Sequence, residues 1–126
     1  MNKFWIPIIS ACLFCLVSCD YVSIADVKNM SSKSKKIKVL PPVGNKYIDT
    51  ICLKYSIRKF DFDSIDKSCT FILDTGKIAT IQYRFNTLLN LKQKIIIDGY
   101  DTIDLENDER VEKSGFGSHS RHIILK

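Results

Sequence analysis

A small, mainly β domain, built as an antiparallel sandwich or barrel of about six strands, is what the sequence predicts for residues 37–126. Three observations predict it. Apolar and polar residues alternate with period two from Tyr47 onward. Turn-forming residues interrupt the chain at short intervals. No long stretch keeps the three-to-four-residue apolar spacing of a helix; only residues 86–93, with Leu88, Leu89 and Leu91, suit one short helix, and a bulged strand suits them equally.

The elements follow in order. Residues 36–40 open the set, and Pro41-Pro42 stops them. Tyr47, Ile51, Leu53, Tyr55 and Ile57 then share one strand face, against Thr50, Cys52, Lys54, Ser56 and Arg58 on the other. Residues 69–73 form a shorter strand. Asp74-Thr75-Gly76 is expected to be a hairpin turn, with Gly76 supplying the positive φ that a tight turn requires. The next strand, 77–85, places Ala79, Ile81, Tyr83 and Phe85 on the core face, against Thr80, Gln82 and Arg84. Residues 94–98 form a compact apolar strand. Gly99-Tyr100 turns the chain, 102–105 returns it, and 122–125 closes the domain.

The first nineteen residues have a different character. Lys3 gives a positive start, residues 4–17 are a run of 14 mostly apolar residues, and Leu16-Val17-Ser18-Cys19 ends it. A run this short falls below the roughly 20 residues that span a bilayer; it fits the apolar core of a cleaved export signal. Leu16, Val17, Ser18 and Cys19 resemble the processing motif of bacterial lipoproteins at all four places. The resemblance covers residues 1–20 only. It implies that the Cys19 thiol receives a diacylglycerol and that a peptidase removes residues 1–18. Two or three acyl chains then hold the protein on a membrane, since each buried CH₂ contributes about 0.8 kcal/mol and one chain alone is marginal. Asp20 resembles the inner-membrane retention signal of enteric bacteria. The expected location is therefore the cell envelope, at the inner or outer membrane, with the domain facing the periplasm or the exterior.

Charge is unevenly placed. Residues 20–46 hold six Lys and two Asp, whereas residues 47–126 balance twelve basic against twelve acidic side chains. Ser31-Ser32-Lys33-Ser34-Lys35-Lys36 contains no apolar residue, so residues 19–36 are expected to form a lipidated basic tether. Its lysines would either gain from anionic headgroups or serve only to keep a linker solvated. A neutral domain on the outer side of a membrane argues against nucleic-acid binding.

Five cysteines divide by position: Cys12 and Cys15 leave with the signal, Cys19 is acylated, and Cys52 and Cys69 remain as an even pair in an oxidising compartment. A Cys52–Cys69 bridge would close a loop of about 17 residues and contribute ~3 kcal/mol on a chain-entropy view. It requires a wide loop at 60–67, or strands that are not neighbours.

Chemistry-bearing motifs are weak. Residues 71–76 resemble the apolar-Asp-Thr-Gly of retroviral-type aspartic proteases, which would make Asp74 one half of a carboxylate dyad. Lys77 stands where that family has a small residue, and Asp98 interrupts the apolar pair before Gly99, so a plain turn is the better expectation. Asp61, Asp63 and Asp66 lack the ligand alternation and central glycine of a calcium loop. A second acidic stretch, Asp98 to Glu112, either solvates a long turn or faces a basic partner. His119 and His122, three apart in an extended chain, fall on opposite faces and do not form a joint metal site. Gly115-Phe116-Gly117-Ser118 lacks the frame of a phosphate cradle and reads as a loop. No cofactor or metal is expected. Phe62 and Phe116 are expected in loops, where exposed aromatic rings would mark a partner-binding edge.

The function expected from these features is a membrane-anchored, non-enzymatic binding or accessory module of an envelope protein system. The alternative is an inhibitor or immunity-type lipoprotein that blocks an incoming enzyme or phage. The remote alternative is an aspartic-protease-like enzyme using Asp74.

Overall fold

A computed structural model of the chain describes residues 20–41, 59–115 and 119–126. Nine strands lie in these residues: β1 (Val22–Asn29), β2 (Lys35–Val39), β3 (Asp61–Phe62), β4 (Cys69–Leu73), β5 (Ile78–Phe85), β6 (Lys94–Ile97), β7 (Asp101–Asp104), β8 (Val111–Ser114) and β9 (Ser120–Leu125). They form a four-stranded sheet, in the order β5-β1-β9-β8, and a five-stranded sheet, in the order β3-β4-β2-β6-β7. Both contribute to one core. The first supplies Ala25, Val27, Ala79, Ile81, Ile123 and Leu125; the second supplies Ile37, Val39, Phe71, Leu73, Ile95 and Ile103. The mainly β sandwich expected from alternation is what forms, because each strand has a single apolar row to hide and a second sheet to hide it against. Every pairing is antiparallel except β1–β9, which is parallel.

Residues 22–36 are not a tether. Val22–Asn29 is a central strand, and the basic run continues into β2. The inward row of β1 is Ser23, Ala25, Val27 and Asn29, all fully buried. Two of the four are polar and one is Ala, so the buried row lacks the bulky apolar alternation that announces a strand. Lys35 and Lys38 are engaged within the domain: they pair with Asp98 (3.5 Å) and Asp66 (2.8 Å).

The turn at Asp74-Thr75-Gly76 forms, but it is not a hairpin. The Lys77 amide donates to the Asp74 carbonyl (3.1 Å), and Gly76 takes φ +79°. The turn carries the chain from β4 in the five-stranded sheet to β5 in the other. The β1–β2 connection changes sheets at the same corner. Asn29 ties the two together: its Nδ2 donates to the carbonyls of Lys33 (2.9 Å) and Leu73 (2.8 Å), and its Oδ1 accepts from the amide and hydroxyl of Ser31 (3.0 and 2.6 Å).

Strand β5 departs from simple alternation. Ala25 pairs with Gln82 and Asp26 with Thr80, leaving Ile81 as an extra residue. This bulge puts Ile81 and Gln82 both inside and shifts the following residues by one. Tyr83 and Phe85, expected in the core, therefore face outward, 50% and 59% exposed.

Residues 86–93 form no helix; they make bends and turns anchored by a buried glutamine pair. Gln82 Nε2 donates to Gln93 Oε1 (2.7 Å) and to the Asn90 carbonyl (2.8 Å), and Gln82 Oε1 accepts from the Asn90 amide (3.0 Å). Gln93 Nε2 reaches the Leu40 carbonyl (3.0 Å). The pair joins the two sheets through the core. The β6–β7 hairpin forms as expected, with Asp98 at φ +52° and Gly99 at φ +82°. The strand expected within residues 47–58 lies outside the described residues.

Candidate functional site

The β3–β4 hairpin presents exposed apolar side chains at the edge of the five-stranded sheet. Ile72 on β4, 59% exposed, lies on the opposite face of the sheet from Phe62, because Phe62 pairs with the inward-facing Cys69. Phe62 on β3 is 52% exposed and Ile65 in the turn 92%. Polar side chains surround them: Lys36, Asp61, Asp63, Ser64 and Thr70 line a shallow depression with Phe62 and Ile65. Among the described residues β3 is the edge of its sheet. An apolar centre with a mixed polar rim is the anatomy of a protein-docking surface. Phe62 stands where the sequence placed a binding aromatic, on a two-residue strand rather than in a loop; Phe116 lies outside the described residues.

Local hydrogen bonds hold this hairpin in shape. Asp63 Oδ1 accepts from the Ile65 amide (2.8 Å), and Asp66 Oδ1 accepts from the amide and hydroxyl of Ser68 (2.9 and 2.5 Å). Asp66 Oδ2 meets Lys38 Nζ on neighbouring β2. The ammonium of Lys38, then the two Ser68 donors, lower the Asp66 carboxyl from 3.8 to about 2. A carboxyl that is more acidic in the folded state stabilises that state above its unfolded pKa and loses the contribution as pH falls through its folded pKa. The contribution should thus persist down to pH 4 and fade toward pH 2. Titration of the Asp66 side-chain carboxyl carbon by NMR should give a midpoint near 2; in Lys38→Met it should move upward.

The three acidic residues of this hairpin do not converge on a cation. Among the described residues no group of three His, Cys, Asp or Glu side chains could hold a metal. The second acidic stretch is largely engaged within the chain. Asp98 pairs with Lys35, Glu106 with Lys92 (3.2 Å), and Asp101 and Asp108 both with Arg110 (2.6 and 2.9 Å). These pairs engage four of the seven acidic side chains of the stretch; Glu109 and Glu112 line the cleft between the sheets beside Arg110 without an ion pair among the described residues.

Asp74 is a corner residue. Its Oδ1 accepts from the Ser34 hydroxyl (2.7 Å), linking the two sheet-changing loops. Cys69 is fully buried on β4, with burial raising its thiol pKa. Its ladder neighbours are Val39 and Phe62. Cys52 lies outside the described residues, as does Cys19.

Sequence reasoning missed one constellation. On the outer face of the four-stranded sheet, His122 Nδ1 lies 2.8 Å from Asp26 Oδ1, and its Nε2 lies 2.5 Å from Ser114 Oγ. The three residues come from β1, β9 and β8, and only the parallel register of Asp26 against His122 brings the first two together. An Asp–His–Ser line orients the imidazole and bonds the hydroxyl as hydrolases do. Here it runs across an open sheet face. Of the three side chains, Ser114 is exposed and the other two are partly buried, so the line cross-links the strands at the surface.

Compared with protein-family models, with curated proteins and with solved structures, the chain matches none.

Proposed function

We propose that this protein is an envelope lipoprotein, anchored through acylated Cys19, that binds a protein partner and performs no catalysis. The exposed Phe62–Ile65 pair carries the reading. Exposed apolar groups of this size cost solubility unless they are used, and here they are ringed by polar residues and held by a pinned turn. The leader and the Leu16-Val17-Ser18-Cys19 motif support the address. The open setting of Ser114 and the corner role of Asp74 favour binding over catalysis.

A photoreactive benzoylphenylalanine at Phe62 tests this in cells that produce the protein. Irradiation should give one reproducible crosslinked species. The same group at Tyr100, which is exposed on the β6–β7 turn of the same sheet, should give none. No adduct from Phe62, or the same adducts from both sites, overturns the docking surface. A crosslinked partner that is an imported lysozyme or phage component would move the reading to the inhibitor or immunity class.

A further inference from the structure

The outer face of the four-stranded sheet carries a second apolar surface, at the end where the chain enters the domain. Antiparallel pairing sets Val22 opposite Phe85 and Ile24 opposite Tyr83. Val22, Tyr83 and Phe85 are all exposed, and so is Leu88 just beyond. Tyr21 stacks on His119 beside them, with ring centroids 5.0 Å apart. The Ile81 bulge is what turns the two aromatic side chains out of the core. Lys28, the lysine that β1 places on this face, lies at the far end of the strand beside the exposed Ile78, and the outward positions between, Asp26, Thr80 and His122, are polar.

This surface begins three residues after Cys19. Three extended residues span at most about 10 Å. The polar layer of one leaflet is roughly 5–8 Å thick, half the difference between total and hydrocarbon thickness. The start of β1 is itself tied down: the Tyr21 amide donates to Asn86 Oδ1 (2.8 Å), and Asn86 Nδ2 donates to Asp20 Oδ1 (2.9 Å). There is no slack with which to lift this end of the domain off a bilayer.

We propose that Val22, Ile24, Tyr83, Phe85 and Leu88 form a membrane seat that rests in the phospholipid interface and fixes the orientation of the domain. The proposal builds on the reading of Cys19 as acylated. Tyrosine suits an interface because its ring is apolar and its hydroxyl stays hydrated. Seating comes from apolar contact, so it is insensitive to salt, unlike a basic tether. It also leaves Phe62, on the other sheet, free for a partner.

The test uses the full chain purified from its membrane, in a Trp5→Phe background, with a single tryptophan introduced by Phe85→Trp or, as control, by Ile65→Trp. Each is reconstituted in phosphatidylethanolamine–phosphatidylglycerol vesicles doped with brominated phosphatidylcholine. The Phe85→Trp emission should be quenched about threefold more than that of Ile65→Trp, in keeping with burial at the headgroup–acyl boundary, and 0.5 M salt should not change the ratio. Equal quenching in protein that floats with the vesicles overturns the seat and leaves the anchor reading standing. Strong quenching at 85 in protein whose intact mass lacks acyl chains keeps the seat and overturns the anchor reading. Protein that stays out of the vesicles overturns both.

Discussion

Asn29→Leu is expected to cost the fold about 3–5 kcal/mol, the range reached when a buried hydrogen-bond network is broken. Leucine matches asparagine roughly in size and would sit in the same fully buried place. It would leave the Leu73 carbonyl and the Ser31 amide without the partner they have now, while the Lys33 carbonyl keeps the Ser31 hydroxyl. Each buried group left unsatisfied costs about 1–3 kcal/mol. The loss falls where both sheet-changing connections meet, so neighbouring contacts loosen together. Asn29→Asp discriminates this explanation from simple packing. It keeps the shape and the oxygen facing Ser31, but it turns a second oxygen toward two carbonyls. Its carboxyl should titrate above the normal range, because the charged form is the disfavoured one. The Asp variant should therefore be strongly destabilised at neutral pH and recover part of its stability as pH falls toward 5. Urea denaturation of both variants checks the claim. A loss below about 1 kcal/mol in Asn29→Leu would show that the corner is held by its backbone bonds alone.

Gln93→Leu is expected to cost about 2–3 kcal/mol, and Gln82→Leu about the same. The first removes the acceptor of Gln82 Nε2 and the donor to the Leu40 carbonyl; the second removes both bonds to Asn90. The variants share the bond between the two side chains. Losses in the double variant should fall short of the sum by roughly 1 kcal/mol, since that bond is lost only once. Strict additivity would falsify the pairing. Gln82→Leu should also release residues 86–93, which hydrogen exchange would register as faster exchange of the Asn90 amide.

These three residues illustrate where the sequence was legible and where it was not. Strands β4, β6, β7 and β9 stand out because their buried positions are chiefly Ile, Leu and Phe, in short apolar segments bounded by turn residues. Strand β1 was hidden because its inward row mixes Ser, Ala, Val and Asn, while its outward row holds Ile24 beside Asp26 and Lys28. The lysine density that suggested a solvated tether comes from residues on the outer face of β2 and in the preceding turn. Burial of Gln82, Gln93 and Asn29 has no signature in one sequence; a buried amide and an exposed one are the same letter. The bulge at Ile81 reversed the faces of Tyr83 and Phe85, and nothing local in residues 78–85 announces it, because it arises from pairing with β1.

The candidate sites divide in the same way. Phe62 was nameable because an aromatic ring amid three aspartates is unlike a core residue. Its companion Ile65 was not, since exposure of an isoleucine depends on what the rest of the fold leaves uncovered. The Asp26–His122–Ser114 line spans three strands and 96 positions of chain between its first two members.

By itself the sequence determined the β class and the turns at Gly76 and Gly99. These depend on local periodicity, on the conformational freedom of glycine and on composition, all of which are properties of short segments. Only the tertiary structure decided that the chain enters the fold at Val22, that the 74–76 turn changes sheets, and which aromatic rings face solvent. Those outcomes depend on which strand pairs with which and in what register, and a register shift of one residue moves every side chain beyond it to the opposite face.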